Sequence, residues 1–444
     1  MTDVRTRLAR AAEIPAATGV AGRLIRGGAA TFLANMAGMG LGFALQLALA
    51  HWLSAEGFGV YAYVWAWLNL LAWAAVMGHD VLVLREVAAL RATGAWPLLL
   101  GLRRHVRLVV GTAALMLALG GSVVVAAVDP PAELNRTFMT AFVALVPMAL
   151  LRLHAGLLCG AGLVLRGLVP ERVGRDAAVL CMIGAAALAG TGADPALAMA
   201  FMTAAILAAL AAATAMEPAT IRGAAPGTRP ESRRRVWIGS AVAMGTIAGT
   251  QIVLHRVDVL MLGAIDGVAH VGIYSVAVVL AELVLFTQNA IGQLFGSMLS
   301  THHARGETAE MTQVIRTATR LGAAGGAAAA ILLGLLAPWI LSLFGAGFDA
   351  GATALRILAA GLLLRCIHGP VALLLTMTGH ERDTASVFAA AGVANIVLNA
   401  LLIPPLGMEG AALSTSLAGI GAAVAMAVLV GRRVGIRPWA LRDG

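Results

Sequence analysis

The sequence predicts an all-α, polytopic membrane protein, and three observations lead there. Of 444 residues, 60% are hydrophobic and 12% charged, more apolar surface than a soluble domain of this size buries in one core. Apolar runs recur at roughly 20 residues, the length an α-helix needs to cross about 30 Å of hydrocarbon at about 1.5 Å per residue. Runs such as AALMLALGGSVVVAAV lack the alternating polarity of membrane-barrel strands.

Taken in order, the runs place twelve spans at 29–52, 60–79, 107–128, 138–160, 177–193, 196–216, 238–262, 272–297, 319–343, 353–377, 385–403 and 410–430. Only GTGADPA separates the fifth from the sixth, the narrowest division in the series. Pro147, Pro338 and Pro370 fall inside spans four, nine and ten and are expected to interrupt them. All 31 basic residues are arginines, and they alternate from loop to loop. They gather at 5–26, 85–107, 166–175, 222–235, 305–320, 382 and 432–442, whereas the other loops hold Arg136 beside Asp129, Asp194, Asp266 and Asp349. The positive-inside rule then places both termini in the cytoplasm and requires an even number of spans. The net charge of +9 is accounted for by this topology, so no nucleic-acid partner is expected. The first apolar run is too long for a cleaved signal. Cys159, Cys181 and Cys366 stand in or beside spans without metal spacing and read as packing residues, so neither a metal nor a cofactor is expected.

The stretch EPATIRGAAPGTRPESRRRVW has the Pro, Gly and Arg content of a linker. The expected organisation is a cytoplasmic segment 1–28, a six-helix bundle 29–216, a cytoplasmic linker 217–237, a second six-helix bundle 238–430 and a cytoplasmic tail 431–444. FGVYAYV at 58–64 is echoed by VGIYSVA at 271–277, aligning Gly59 with Gly272 and Tyr61 with Tyr274. Two six-span units joined on the cytoplasmic side share one orientation, so a repeat would relate them by an axis along the membrane normal. A glycine ending a turn and a tyrosine at the headgroup level would give the same echo without any repeat. The outer loops, about ten residues or fewer, leave no room for a catalytic lobe, and no catalytic residue is assigned.

LALAHWLSAEGFGVYAYVWAW followed by GHDVLVLREVA, then HRVDVLMLGAIDGVAHVGIYSVA, LFGAGFDAGATALRILA and IPPLGMEGAALSTSLA, resembles the bacterial polysaccharide flippases of the multidrug/oligosaccharidyl-lipid/polysaccharide exporter superfamily. The resemblance runs over nearly the whole chain. It implies a V-shaped pair of six-helix bundles in the bacterial inner membrane. It also implies a non-enzymatic function, passing a polyprenyl-diphosphate-linked oligosaccharide to the outer leaflet beside a polysaccharide polymerase and glycosyltransferases. The loop GHDVLVLREVAALRATGA lacks the Gly-rich Asp-Arg motif that major facilitators usually carry there.

Apart from Arg107 and Arg320 at the loop ends of their spans, six charges fall within the spans: Arg152, Arg256, Arg356, Arg365, Asp258 and Glu282. Each would cost about 2.5 to 3.5 kcal/mol facing lipid at a helix centre, so each requires a partner or a watery cavity. Glu282 and Arg365 lie about 15 Å from the outer ends of their spans, near the midplane, with Arg152 deeper. Asp258 and Arg356 lie within about two turns of the outer face. His255 and Asp258 are three apart and share a helix face, whereas Arg256 and Asp258 point apart. One reading gives Arg152, Arg256 and Arg365 to a cationic cavity for a lipid diphosphate, which guanidinium groups bind bidentately. Asp258 and Glu282 are then candidates for coupling to protons or sodium. The other reading makes the charges interhelical ion pairs, such as Arg365 with Glu282. His154 and His368 divide likewise between proton relay and satisfied core histidine, and His302 and His303 read as solvated surface. Two other functions compete: a cation-coupled multidrug exporter of the same superfamily, and a membrane-embedded enzyme of lipid-linked sugar metabolism. The excess of intramembrane arginine over acid favours anionic cargo, and no Asp-rich or His-rich cluster marks a catalytic face.

Overall fold

The computed structural model describes residues 20–218, 229–292, 295 and 307–435, and every regular element among them is helical. Eight helices are long and apolar enough to cross a membrane. Two of these are folded in the middle. Uninterrupted, Val20–Val76 would be about 85 Å long, nearly three bilayer cores. It bends at Ser54, which takes φ 65° and ψ 171°, giving α1 (20–53) and α2 (55–76). Glu381–Arg433 bends likewise at Gly407, with φ 55° and ψ −130°, giving α14 (381–406) and α15 (408–433). Pro404 and Pro405 just ahead of that bend remove two backbone donors.

Between these lie α3 (His79–Ala92), α4 (Trp96–Val128), α5 (Ala132–Gly160), α6 (Val164–Leu168), α7 (Arg175–Leu188) and α8 (Pro195–Ala215). The second half has α9 (Arg234–Ile265), α10 (Val268–Glu282, continued by a 3₁₀ turn), α11 (Thr308–Ser342), α12 (Ala352–Ile367) and α13 (Val371–Met377). A π-helical segment, Val169–Gly174, joins α6 to α7. These form the fifth crossing, which therefore starts at Val164 rather than 177. It is a helix distinct from α8, which begins after Asp194 caps the Ala196 N–H at 2.8 Å.

Several boundaries differ from expectation. The first helix begins at Val20 and not at 29, α9 begins at Arg234 and not at 238, and α15 runs to Arg433. Residues 219–228 of the expected linker, with His302 and His303, fall outside the described residues. The segment after span two is a helix, α3, whose buried His79, Leu82, Val83 and Val87 make one face at the spacing of an amphipathic helix. It packs on α5, and the Arg91 guanidinium donates to the Ala161 carbonyl. Pro147 and Pro338 sit inside unbroken helices, where neighbouring packing tolerates the lost donor. Only Pro370 follows a real break, between α12 and α13.

The echo between the halves has a structural counterpart. α2 packs along α10, and a Cβ on Gly59 would collide with the Val268 carbonyl, while one on Gly272 would collide with Ala55 and Gly59. The two echoed glycines thus meet at one crossing, backbone against backbone. The correspondence extends to the bend: Ser54 stands five residues before Gly59 as Gly267 stands five before Gly272, and Gly267 has φ 95° and ψ 160°, close to the Ser54 values. Thr203 of α8 donates to the Thr140 carbonyl of α5 at 3.5 Å. Ser416 of α15, at the position matching Thr203, donates to the Ile357 carbonyl of α12 at 3.3 Å, one helical turn from the acceptor's counterpart.

At φ 65°, ψ 171° Ser54 occupies backbone space that belongs almost solely to glycine. Ser54→Gly is expected to stabilise the protein by about 1 kcal/mol, and Ser54→Val to destabilise it by at least as much. Thermal unfolding in detergent checks both; a lower midpoint for Ser54→Gly would contradict the strain assignment.

Candidate binding cleft

A cleft runs between the halves along α1 and α10 in two chambers. The larger, about 800 Å³, is lined by Asn35 and Met39 of α1, by Gln288 and Asn289 beyond α10, and by Arg172 and Arg365. These lie toward the ends of their helices that face the arginine-rich loops. The smaller, about 220 Å³, continues along the same two helices through Gln46 and Leu49 of α1 and Val278 and Glu282 of α10, with Arg256 and Arg175. Past it, the Gly59–Gly272 crossing closes the space.

Arg365 enters the larger chamber from α12. Gly419 of α15 leaves room for it: a Cβ there would lie 3.0 Å from the Arg365 Cδ. Among the described residues the Arg365 guanidinium makes no hydrogen bond or ion pair. Glu282 acts on it electrostatically without a direct bond, so the expected Arg365–Glu282 ion pair is absent among the described residues. Arg172, on the π-helical segment, faces the same chamber from the first half and donates to Asn35 Oδ1 at 3.1 Å.

The smaller chamber gathers Arg256, Glu282, Arg175 and Asp176. Arg175 donates to Asp176 at 2.7 Å and lies 5.4 Å from the centre of the Trp65 ring, a cation–π distance. Asp176 is therefore matched locally, and the Arg256 guanidinium, which lines the chamber along with Glu282, makes no bond to any described residue. Gln46 Oε1 is buried beside this chamber without a hydrogen-bond partner.

Asp258 stands apart from both chambers. It is 2% exposed and accepts from the Tyr274 hydroxyl at 2.7 Å, the Thr415 hydroxyl at 3.0 Å and the Val259 N–H at 2.8 Å. Three donors satisfy the carboxylate and tie α9, α10 and α15 together. The His255 side chain, expected on the same face, lies outside the described ones. Arg152 also lines neither chamber; it donates to Asn69 Oδ1 at 2.8 Å. Arg356 is exposed and donates to the Gly334 carbonyl at 3.0 Å. His154 lies 2.6 Å from an Arg107 nitrogen and contacts the Leu150 carbonyl at 2.8 Å, the environment of a satisfied core histidine. The structure thus brings Arg256 and Glu282 together, puts Arg365 in the adjoining chamber, and separates Arg152 and Asp258 from them.

Three features escaped the sequence reading. Arg172 was counted among loop arginines, although the π-helical segment carries it into the cleft. Tyr274 entered only as part of the echo, with a headgroup anchor as the alternative, and its bond to Asp258 was not foreseen. Asn395 and Asn399 of α14 are fully buried, with Asn399 Nδ2 donating to Asn395 Oδ1 at 2.9 Å and Asn399 Oδ1 left without a partner. Their spacing of one helical turn inside an apolar run was the available signal.

No protein-family model matches the chain, and no curated protein does. Solved structures match it in fold. A multidrug resistance MATE family transporter of the MOP superfamily, inward-facing, aligns with a TM-score of 0.68 at 14% identity over 88% of this chain and 94% of that one. An outward-facing structure of such a transporter gives 0.63 at 14% identity over 91% and 94%. The lipid II flippase MurJ, in an inward closed conformation, gives 0.62 at 12% identity over 90% and 87%. The chain is a polytopic helical membrane protein, and its fold is the one these transporters and this flippase share.

Because the Asp258 carboxylate is buried, losing one donor costs more than an average hydrogen bond. Tyr274→Phe is expected to destabilise the protein by about 1.5 to 3 kcal/mol. A double-mutant cycle of Tyr274→Phe with Thr415→Val, read by thermal unfolding, should show coupling through the shared Oδ2; strict additivity would argue against a common acceptor.

Proposed function

We propose that the chain is a flippase that moves a polyprenyl-diphosphate-linked oligosaccharide from the cytoplasmic to the outer leaflet of the bacterial inner membrane. The observation that carries this reading is the larger chamber, where Arg365 and Arg172, one from each half, face a single space of about 800 Å³. Guanidinium groups hold phosphate oxygens bidentately and stay charged at every physiological pH. Among the described residues the Arg365 guanidinium has no hydrogen bond to give up when it takes an anion.

In this reading the diphosphate enters at the arginine-rich end and is held by Arg365 and Arg172. It then meets Arg256 in the inner chamber as the two halves rock about their crossing. No bond of the cargo is made or broken. The two six-helix units, 29–216 and 238–430, are the rocking bodies. Arg152, bonded to Asn69, serves to hold α5 against α2 and leaves the cargo to the other arginines. Glu282 is the more accessible coupling candidate, since it lines the cleft, whereas Asp258 would have to release three donors to take a cation. The lipid II flippase among the fold's neighbours supports a lipid-linked cargo, and a role in polysaccharide biosynthesis, with a polymerase and glycosyltransferases as partners, follows from that cargo.

A cation-coupled multidrug exporter is the second reading. The inner chamber favours it by placing Phe58, Tyr61 and Trp65 beside Asp176 and Glu282, the aromatic and acidic surroundings that suit a cationic drug. Against it, Arg175 already occupies both Asp176 and the Trp65 face, and Arg256 offsets Glu282.

The readings part in a leaflet assay on a strain lacking the gene. Flipping predicts cytoplasmic-side accumulation of the diphosphate-linked oligosaccharide, relieved by the intact protein and not by Arg256→Ala plus Arg365→Ala present at normal membrane levels. Normal passage in the deletion strain, with new sensitivity to cationic drugs, would instead support export. Glu282→Gln is expected to flatten any pH dependence of transport; an unchanged profile would remove Glu282 from coupling.

A further inference from the structure

Away from the cleft, α4 and α9 approach each other on the flank of the molecule where residues 229–233 lead into α9. The Glu231 N–H donates to the Pro97 carbonyl at 3.0 Å, and Gly101 has no Cβ because the Glu231 carbonyl occupies its place. His105 of α4 packs on Trp237 of α9 with ring centres 5.5 Å apart. Above this contact lies a recess of about 450 Å³ whose polar lining is Arg104, His105, Ser232 and Arg234. A second recess of about 460 Å³ shares Arg104, Leu108 and Pro230 with it and adds Arg103 and Arg107.

The charge here is one-sided. Among the described residues no acidic side chain lines either recess. The neighbouring acids are Glu217, which is 1% exposed and bonded to Arg103 at 2.7 Å and Arg107 at 3.5 Å, and Glu231, exposed on the connecting strap. Arg104 and Arg234 are exposed and make no hydrogen bond or ion pair with any described residue. His105, 7% exposed, lines the recess, and its buried Nε2 has no hydrogen-bond partner among the described residues.

Both helices then turn apolar in the same register. On α4, Arg104 is followed one turn later by Leu108, 53% exposed, and farther along by Leu115 and Leu119, also exposed. On α9, Arg234 is followed at the same spacing by Ile238 and Val242, each 44% exposed. Residues four apart share a helix face, so each helix presents a cation above an outward apolar stripe, and the two stripes begin at Leu108 and Ile238, which line the same recess. The pattern fits an amphiphile with an anionic head and hydrocarbon tails.

We propose that this recess is a binding site for an anionic phospholipid, its phosphodiester held by Arg104 and Arg234 with His105 and Ser232 as further partners, and its acyl chains laid along Leu108 and Ile238. Basic pockets between membrane helices bind anionic headgroups in this way. The net charge of the lipid matters, because the cationic group of a zwitterionic headgroup would be brought up against two arginines. A lipid seated here touches α4 of the first half and α9 of the second at once. This site does not depend on the nature of the transported cargo.

The test is native mass spectrometry and thermal unfolding of the full-length protein in detergent, with phosphatidylglycerol, phosphatidylcholine or inorganic phosphate added. Phosphatidylglycerol is expected to raise the midpoint and remain as a bound adduct, while phosphatidylcholine and inorganic phosphate do neither. Arg104→Gln with Arg234→Gln should weaken phosphatidylglycerol binding at least tenfold. Arg104→Lys with Arg234→Lys should retain most of it, and Arg432→Gln, at another exposed arginine, should leave it unchanged. Equal effects of phosphatidylcholine or of inorganic phosphate, or undiminished binding by the glutamine pair, would overturn the proposal.

Discussion

Everything else in this fold depends on the close crossing of α2 and α10 at Gly59 and Gly272. Helices in a membrane gain nothing from hiding apolar side chains from lipid, which is equally apolar. Their contact must come from dense packing, and small residues permit the closest approach. Here the approach is such that a single methyl group on either glycine would meet backbone of the partner. The two halves are thereby pinned at one end of the cleft. Toward the arginine-rich end α1 and α10 diverge enough to leave the chamber that holds Arg365 and Arg172.

The repeat supplies the scaffold and its departures supply the chemistry. At the separation that relates Gly59 to Gly272, Asp258, Tyr274 and Thr415 correspond to Leu45, Tyr61 and Met202. In the second half these three positions hold a hydrogen-bonded carboxylate that knits three helices. In the first half the corresponding three line the inner chamber, and none of them is a carboxylate. A buried acid that is satisfied within its own half acts as a fastener, and its apolar counterpart leaves room. The same separation relates Arg103 and Arg107 to Arg316 and Arg320. In the first half Arg103 and Arg107 are bonded to the buried Glu217, at the position that Val430 takes in the second half.

The class of the fold was legible because it rests on quantities that sum over many residues. Apolar run length, arginine alternation and the Gly-x-Tyr echo each report a constraint imposed by the bilayer or by the repeat. Bends were less legible: Ser54 is held in glycine-like geometry by its surroundings, and nothing in its side chain announces this. Pro147 and Pro338 pointed to interruptions that do not occur, because a membrane helix can re-satisfy the freed carbonyl through its neighbours. The site was legible only as an inventory of intramembrane charge. Helical spacing did separate Arg256 from Asp258, and they do face different surroundings, one the cleft and the other a buried triad. It had no means of finding Arg172, whose place in the cleft depends on a π-helical segment and on the angle at which the fifth crossing meets α1.

The cost of burying charge ranks the intramembrane arginines. A guanidinium at membrane depth needs a partner or water, and Arg152 and Arg356 each have a bond to a described neighbour. Arg256 and Arg365 have none, yet both line space. Lining a chamber is the other way in which that cost can be met, by solvent or by an anion. Replacing that solvent with a multivalent anion recovers electrostatic energy that water screens, while a cationic guest would add to the repulsion. An arginine held beside a cavity without a bond to any described residue, with a glycine that makes room for its stem, is an arrangement that core packing alone does not require. It is the observation on which the proposed path for an anion rests.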